Sequence, residues 1–313
     1  MTKVLYVMGR GRSGSTIFAN VIGGHDGFFS TGELRFLWDP IVKDDVACAC
    51  GENVSRCPIW SNVLAQVGDV SIEATSRLQR RLVTERNLWR LLRYRWDGSW
   101  GELEAYVDLT SQVYRAIQEV SGARVIVDSS KRPSYGGLLR HISGCDVHWI
   151  HLTRDPRASA YSWGHSRHAS IFGTDTDVRR RGSIDSTIRW DILNLEAELL
   201  LSKVPSNRKL RLRYEDFIAN PKETSAHVVG FAGQEGIPSP FIDMRTVVLT
   251  ENHSLGGNPS KMSVGNVIIQ ETTDWVSRQK KLDRRVATAV AFPFLRRYGY
   301  SVTVGRPSQR KRI

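Results

Sequence analysis

Residues 9–16 read GRGRSGST, a glycine-rich stretch that matches two known loop patterns at once. Gly9, Gly11 and Gly14 fit G-x-G-x-x-G, the pattern of dinucleotide-binding loops. Gly9 and Gly14 also fit the phosphate-loop pattern G-x-x-x-x-G-K-[S/T], but Ser15 stands in place of its lysine. Both patterns belong to loops that surround phosphate groups, so the sequence first indicates an anion site.

The segments on either side predict a strand before this loop and a helix after it. Residues 4–8 are a short apolar run that suits a buried parallel strand. Residues 16–22 can continue as a helix that ends near Gly23 and Gly24. A strand, a glycine-rich turn and a helix expose backbone N–H groups at the helix N-terminus, where they bind an anion. A plain tight turn is the alternative, but it does not need the hydroxyls and arginines of this loop.

The composition is that of an ordinary globular protein with a strong positive charge. The chain has 313 residues, enough for one large α/β domain or two small ones, and 41% of them are hydrophobic. The net charge of +12 favours anionic partners such as nucleotides, sulfated or phosphorylated molecules, membrane surfaces or nucleic acids. No apolar run approaches the ~18 residues that span a bilayer, and we identify no secretory signal, so we expect a cytoplasmic protein.

Strand-like and helix-like patterns alternate along most of the chain. Apolar strand-like segments recur at residues 125–127, 147–152 and 210–213, and helices are predicted to begin near Pro133 and Pro156. We therefore predict an α/β fold with a P-loop-like central parallel β-sheet and helices on both faces. In such sheets, ligands bind beyond the carboxyl ends of the strands.

A long helical stretch at about residues 57–121 interrupts this alternation, and we interpret it as an insertion that covers the site. We predict a single domain over residues 1–313, with a mostly helical insertion at about 43–121 and a basic tail at about 304–313. Within the insertion, residues 77–96 combine an interrupted apolar stripe with seven arginines, which is also typical of helices that lie on anionic lipid. The two interpretations are peripheral membrane contact and an amphipathic helix packed on the protein.

The composition of the loop favours a terminal, highly charged anion over a dinucleotide. A dinucleotide site needs an acidic residue about 20 positions after the glycines, and Glu33 is in that region, but residues 28–32 before it are a poor second strand. A nucleotide triphosphatase needs the missing lysine and an acidic magnesium ligand, a role that Asp128 could fill. Here the cation of the loop is Arg12, which suits group transfer without help from a metal.

A second anion site is predicted where the strand at residues 147–152 ends. The sequence TRDPRASAYS places Arg154 at the strand end and Ser162 eight residues later, two turns into the next helix. A guanidinium group and a hydroxyl group in this arrangement can converge on a phosphate. The two sites together imply one ligand with two anionic ends.

Three segments, in this order, resemble sulfotransferases that use 3′-phosphoadenosine 5′-phosphosulfate (PAPS). GRGRSGST resembles the 5′-phosphosulfate loop of that family, with Gly11 for its usual proline and Ser15 for a threonine. HLTRDPRASAYS resembles the 3′-phosphate motif, and RYEDFIANP resembles a later motif whose aromatic residue, here Tyr214, lies near adenine. The resemblance runs from residue 4 to about residue 280 and is closer to the bacterial and tyrosylprotein enzymes than to the cytosolic small-molecule enzymes.

This resemblance implies which residues bind the cofactor and its product, 3′-phosphoadenosine 5′-phosphate (PAP). The implied contacts are Arg12, Ser13, Gly14, Ser15, Thr16, Arg154, Ser162 and Tyr214. In the later segment HSLGGNPSKM, Ser254 and Lys261 resemble residues that family members direct at the nucleotide.

The resemblance also implies an in-line displacement, in which an acceptor oxygen attacks sulfur and the 5′-phosphate leaves. Glu33 corresponds to the glutamate of tyrosylprotein-like enzymes and is the predicted general base. Arg12 and Lys131 are predicted to stabilise the charge that develops on the oxygens. No metal is expected in this reaction. The expected acceptor carries a hydroxyl and could be a carbohydrate, lipid, phenol, peptide or specialised metabolite, whereas nucleic acid is not expected.

Each of these residues also has a purely structural interpretation. Glu33 could lie at a helix N-terminus, and Lys131 could be a solvated lysine at a strand end. Arg154 could pair with Asp155 or Glu215, and Tyr214 could be a core residue. The rival functions are a phosphotransferase of the nucleotide-kinase type and a non-catalytic protein that binds polyanions.

Three of the four cysteines lie close together in CACGENVSRC, at Cys48, Cys50 and Cys57. A zinc site normally needs four ligands, and no histidine nearby in the sequence completes the set. Idle structural thiols, a disulfide and a metal site therefore all stay open. The element that ends at Trp60 resembles bacterial sulfotransferases, but it suggests no role by itself.

Overall fold

A central sheet of five parallel strands organises the protein. The computed structural model describes residues 1–39, 48–165, 181–256, 258–270 and 274–303. The strands are β1 (Thr2–Met8), β2 (Phe28–Gly32), β3 (Val125–Lys131), β4 (Cys145–Thr153) and β5 (Lys209–Arg213), in the spatial order β2-β3-β1-β4-β5. All neighbouring pairs are parallel, which confirms the predicted sheet.

Helices cover both faces of this sheet, and a short antiparallel pair of strands lies beside it. The helices of the first half are α1 (Ser15–Gly23), α2 (Pro58–Val67), α3 (Ile72–Leu82), α4 (Leu88–Arg93), α5 (Gly101–Ser121) and α6 (Pro133–Leu138). Those of the second half are α7 (Pro156–His165), α8 (Ser183–Leu201), α9 (Tyr214–Ala219), α10 (Pro221–Phe231), α11 (Asp274–Arg278), α12 (Lys281–Val290) and α13 (Phe292–Arg297). The antiparallel pair consists of β6 (Thr246–Leu249) and β7 (Gly265–Ile268).

The alternation of side chains along β1 divides the hydrophobic core into two layers. Val4, Tyr6 and Met8 face the layer that contains the buried side chains of α2, α5 and α8. Leu5 and Val7 face the opposite layer, which contains those of α1, α9 and α10. Both faces of the strand are buried, as its continuous apolar sequence predicts.

The expectation that residues 28–32 make a poor strand is wrong, because they form β2. This strand lies at the edge of the five-stranded sheet, where it pairs with β3 and has Phe28 opposite Val125. On its other side it makes a single parallel bridge, from Gly32 to Leu255. An edge strand needs a ladder on one side alone, and Phe and Thr favour extended backbone. β2 ends at Gly32, whose φ of +66° turns the chain toward Glu33.

Residues 57–121 contain α2, α3, α4 and α5, so this stretch is mostly helical, and its interpretation as an insertion stays a prediction. The start of the predicted insertion at residue 43 and the basic tail at 304–313 lie outside the described residues.

The single amphipathic helix expected within residues 77–96 is instead broken, because α3 ends at Leu82 and α4 begins at Leu88. Both leucines are buried in the core, whereas Trp89 is 52% exposed. The apolar stripe therefore packs mainly against the protein, as in the alternative interpretation. None of the described helices is long and apolar enough to cross a membrane.

The buried hydrogen bond between Tyr114 and Asp128 provides a test of the core layer that contains α2, α5 and α8. The Tyr114 hydroxyl donates to Asp128 Oδ2 over 2.7 Å, and both side chains are fully buried. Tyr114→Phe should lower the free energy of unfolding by about 1–3 kcal/mol, because the buried carboxyl group loses a donor that water does not replace. Urea unfolding followed by circular dichroism measures this change, and an unaltered midpoint and slope would contradict the assigned contact.

Candidate active site

A cavity of about 620 Å³ opens where β1, β3 and β4 end. Most of the predicted site residues line it, namely Arg12, Gly14, Ser15, Thr16, Glu33, Lys131, Arg154, Ser162 and Tyr214. The two anion sites expected from separate sequence motifs therefore face the same space.

The glycine-rich loop leads from β1 directly into the N-terminus of α1. Gly14 is the residue that precedes the helix, and its φ of +82° is in the region that glycine adopts without strain. The first N–H groups of a helix have no partner within the helix and lie at the positive end of its dipole. Ser15 and Thr16 occupy these positions and line the cavity, which is an arrangement that can bind an anion.

Arg12 is held in a strained conformation within this loop. Its φ is +72°, which is uncommon for a residue with a Cβ atom. Its guanidinium group lies 5.7 Å from the ring centre of Trp163, and Nη1 donates to Asn258 Oδ1 over 3.4 Å. Such conformations persist where the surrounding structure fixes them, and they concentrate at functional sites.

Arg154 follows β4 and connects the second anion site to the first. Its Nη1 donates to the carbonyl oxygen of Arg12 over 2.9 Å, and its guanidinium carbon lies 4.8 Å from the ring centre of Tyr214. Asp155 pairs with Arg157 at 2.6 Å, so the structural alternative in which Arg154 pairs with Asp155 does not apply. The pairing with Glu215 stays open, because burial raises the pKa of Glu215 and Arg154 is among the charges that act on this carboxyl group. Arg154 lines the cavity.

Tyr214 is the first residue of α9, and its ring lies directly against Gly14. A Cβ atom at Gly14 would overlap this ring. The aromatic motif therefore packs on the glycine-rich loop as well as lining the cavity, and its contact with adenine stays a prediction.

The buried Glu33 and the partly buried Lys131 form an ion pair at the ends of β2 and β3. Lys131 Nζ lies 2.6 Å from Glu33 Oε1, and Arg35 Nη2 lies 3.0 Å from Oε2. Burial by itself raises the pKa of Glu33, but the charges and hydrogen bonds of Lys131 and Arg35 outweigh it, so that the pKa is below its usual value. Lys131 has a φ of +72°, so it is a strained and paired residue and not a solvated lysine.

Three predicted cofactor contacts do not line the cavity. The side chains of Ser13, Ser254 and Lys261 are all buried, at 1%, 2% and 5% exposure. Ser254 donates to the carbonyl oxygen of Ser30 over 3.3 Å, because its segment runs beside β2 and turns the hydroxyl inward. The contact of these three residues with the nucleotide stays a prediction. The same segment reaches the cavity through Asn258, Ser260 and Ser263.

Sequence reasoning missed a group of arginines around Trp163. The guanidinium carbons of Arg10 and Arg181 lie 4.9 Å and 5.4 Å from its ring centre, and Arg189 also lines the cavity. Burial, and then the charges of Arg181 and Arg189, lower the pKa of Arg10 to about 10. Within the described parts of the chain, Nε and Nη2 of Arg10 are buried without a hydrogen-bond partner, which a bound anion would supply. Arg10 is in the quoted loop, whereas α8 brings Arg189 from a distant part of the sequence.

Glu196 on α8 is a second carboxyl group at this cavity. Burial, and then the charge of Glu85, raise its pKa to about 7. A carboxyl group with a pKa near neutrality is a possible proton acceptor. No sequence motif pointed to it.

Asp128 does not match the magnesium ligand of a phosphotransferase. Its oxygens accept hydrogen bonds from the Tyr114 hydroxyl and from the N–H and hydroxyl of Ser130. The carboxyl group is fully buried and is not among the groups that line the cavity. The geometry therefore gives no support to the kinase alternative.

Gly14→Ala tests the close packing of the loop. The substitution should destabilise the protein by more than the ~1–2 kcal/mol that a left-handed conformation costs a non-glycine residue, because the new methyl group also overlaps Tyr214. Gly122→Ala is the matched control, since Gly122 has a φ of +68° but open space around it. Thermal and urea unfolding give both values, and equal losses would show that Tyr214 does not pack against the loop.

Comparison with known proteins agrees with this geometry. The model of the sulfotransferase family matches residues 59–238, more than half of the chain. The sulfotransferase domain of the curacin biosynthetic pathway is 17% identical over 97% of this chain and 99% of that one, with a TM-score of 0.54. The sulfotransferase domain of the olefin synthase of Synechococcus PCC 7002 is 19% identical over 94% of each chain, with a TM-score of 0.50. A search of curated proteins found no significant match. The chain therefore belongs to the sulfotransferase family and is a sulfotransferase enzyme.

Proposed function

We propose that this sulfotransferase transfers the sulfuryl group of PAPS to a hydroxyl group of an acceptor by in-line displacement. The observation that carries the proposal is that the loop at the N-terminus of α1 and the Arg154 site line one cavity. PAPS has a 5′-phosphosulfate and a 3′-phosphate at opposite ends of one adenosine, and this cavity offers two cationic sites for them.

Each part of the nucleotide has a matching group. The 5′-phosphosulfate would accept hydrogen bonds from the first N–H groups of α1 and from Arg12. The 3′-phosphate would bind Arg154 and Ser162, and adenine would lie near Tyr214. Anchoring both ends of the nucleotide orients the sulfuryl group. This orientation supplies most of the rate advantage over a reaction between free molecules in solution.

The ion pair of Glu33 and Lys131 fits the chemical step. When the donor is bound, Lys131 can turn from Glu33 to a sulfuryl oxygen and stabilise the charge that develops there. Glu33 can then accept the proton of the acceptor hydroxyl. The acceptor oxygen forms a bond to sulfur, the bond from sulfur to the 5′-phosphate oxygen breaks, and PAP leaves.

The proposal defines the acceptor only as a molecule that carries a hydroxyl group. Carbohydrates, lipids, phenols, peptides and specialised metabolites all satisfy the chemistry. We also propose a cytoplasmic location, membership of the tyrosylprotein-like branch, a single domain over residues 1–313 and membrane contact through residues 77–96.

PAP should bind and raise the melting temperature without added magnesium, because a ligand of the native state stabilises it by mass action. Arg154→Ala should weaken PAP binding about 10- to 150-fold, since a hydrogen bond to a charged group contributes about 1.5–3 kcal/mol. Titration calorimetry measures the affinity. Arg77→Ala is the control, because it removes the same charge from an exposed position outside the cavity and should bind PAP normally.

The same titrations separate the rival functions. Equal losses in Arg154→Ala and Arg77→Ala, together with a steep dependence on salt, are what a non-catalytic polyanion-binding site gives and would contradict the two-site proposal. Binding of ATP with magnesium in preference to PAP is what a phosphotransferase gives and would contradict PAPS as the donor.

Glu33→Gln should reduce transfer of labelled sulfate from PAPS by about 10²- to 10⁴-fold, the range of general base catalysis, without loss of PAP binding. Glu196→Gln is the matched control, because it makes the same change in another carboxyl group of the cavity. Labelled PAPS and pools of candidate acceptors provide the assay.

The pH profile provides the second readout for this pair. The pKa of Glu33 is below its usual value, so Glu33 is ionised throughout the neutral range and the rate should not fall as the pH decreases from about 8 to 6. A rate that falls with its midpoint near the Glu196 pKa of about 7 would instead indicate Glu196. If Glu196→Gln also loses activity and no longer shows this fall, Glu196 is the base and Glu33 is not.

A further inference from the structure

Three thiols and one imidazole come together outside the residues that line the candidate active site. The donor atoms of Cys48, Cys50, Cys57 and His253 all lie within 4.8 Å of one another. Cys57 Sγ is 3.2 Å from His253 Nδ1, and Cys48 Sγ is 3.7 Å from Cys57 Sγ and 3.8 Å from His253 Nδ1. The sequence offered three ligands, and the fold supplies the fourth from about 200 positions away.

We propose that these four residues bind one Zn²⁺ ion in a closed tetrahedral site that holds the wall of the active site in place. Three cysteines and one histidine are an established ligand set for structural zinc. Bonds of about 2.3 Å to sulfur and about 2.0–2.1 Å to nitrogen place tetrahedral ligand atoms about 3.5–3.8 Å apart. The Cys57–His253 pair at 3.2 Å would have to move apart by about 0.3 Å, and pairs as far apart as 4.8 Å would have to approach by about one ångström.

The backbone holds the cysteine ligands in position without an ion. The N–H of Gly51 donates to the carbonyl oxygen of Cys48 over 2.8 Å, which forms a tight turn around the C-A-C ligands. Cys57 immediately precedes α2, whose first residue is Pro58. Cys48 and Cys57 are both fully buried, so their thiols are organised inside the protein and not on its surface.

Independent contacts fix the histidine. The indole N–H of Trp60 donates to the carbonyl oxygen of His253 over 2.7 Å, and the ring of Phe29 stacks on its imidazole with an interplanar angle of 18°. The N–H of Ala49 donates to the carbonyl oxygen of Ser254 over 3.2 Å. These contacts join the cysteine segment to the histidine segment and orient Nδ1 toward the thiols.

A metal explains this arrangement better than a disulfide. All four cysteines of the chain are free thiols in the structure. A disulfide between Cys48 and Cys57 would use two sulfur atoms and would not account for the positions of Cys50 and the His253 imidazole beside them. A tetrahedral ion uses all four donors and leaves no open position, which makes the site structural and not catalytic.

The site is connected to the active site through the backbone. The N–H of Leu255 donates to the carbonyl oxygen of Thr31, and the N–H of Glu33 donates to the carbonyl oxygen of Leu255, both over 2.8 Å. The same segment continues to Asn258, which contacts Arg12. An ion that ties His253 to the cysteines therefore fixes the strand end that positions Glu33.

The test is the metal content of the full-length protein, purified without chelators and measured by elemental mass spectrometry. The wild type should contain one zinc ion per chain, and Cys57→Ser and His253→Ala should lose it. Cys145→Ser is the matched control, because Cys145 is in β4 and outside the cluster, and it should keep its zinc. Far less than one equivalent in the wild type, or normal zinc in Cys57→Ser, would overturn the proposal.

A second measurement covers the case in which the variants do not fold. Wild-type protein with its metal exchanged for Co²⁺ should show the visible absorption of tetrahedral cobalt with thiolate ligands, and removal of the metal should lower the melting temperature until zinc is returned. A mass lower by two hydrogen atoms under non-reducing conditions would instead show a disulfide and overturn the site. Neither readout depends on sulfuryl transfer, so this test stands or falls separately from the proposed function.

Discussion

The hydrogen bond from the Arg154 guanidinium group to the Arg12 carbonyl oxygen joins the two halves of the candidate active site. It is possible because β1 and β4 are adjacent parallel strands, so that the residues after both strands emerge at one edge of the sheet. The loop proposed to bind one anion and the arginine proposed to bind another are thereby held at a fixed separation. The proposed role of the protein as a PAPS-dependent enzyme depends on this constraint more than on any single residue.

Two of the residues proposed to act in catalysis have strained backbone conformations. Arg12 and Lys131 both have a φ of +72°, and Lys131 is paired with the buried Glu33. The surrounding structure must stabilise these conformations, since each costs about 1–3 kcal/mol. The proposed zinc site contributes here, because it ties the segment next to Glu33 to the N-terminus of α2.

The sequence predicts local features well and long-range ones poorly. The strand, glycine-rich loop and helix at residues 4–22 are contiguous, and the spacing of Arg154 and Ser162 is set by one helix, so short patterns determine them. Residues 28–32 were misjudged because a strand at a sheet edge depends on its partner and not on its own pattern. Ser254 carried a motif position, but its segment pairs with β2 and turns it inward. Arg189, Glu196 and His253 reach their sites from distant elements, and no spacing in the sequence signals such an encounter.

A crystal structure with bound PAP tests the central claim most directly. The account predicts one nucleotide in the 620 Å³ cavity, with its 5′-phosphate at the N–H groups of Ser15 and Thr16 and its 3′-phosphate in contact with Arg154 and Ser162. A nucleotide whose 3′-phosphate lies away from Arg154, or one that binds in a different cavity, would contradict it.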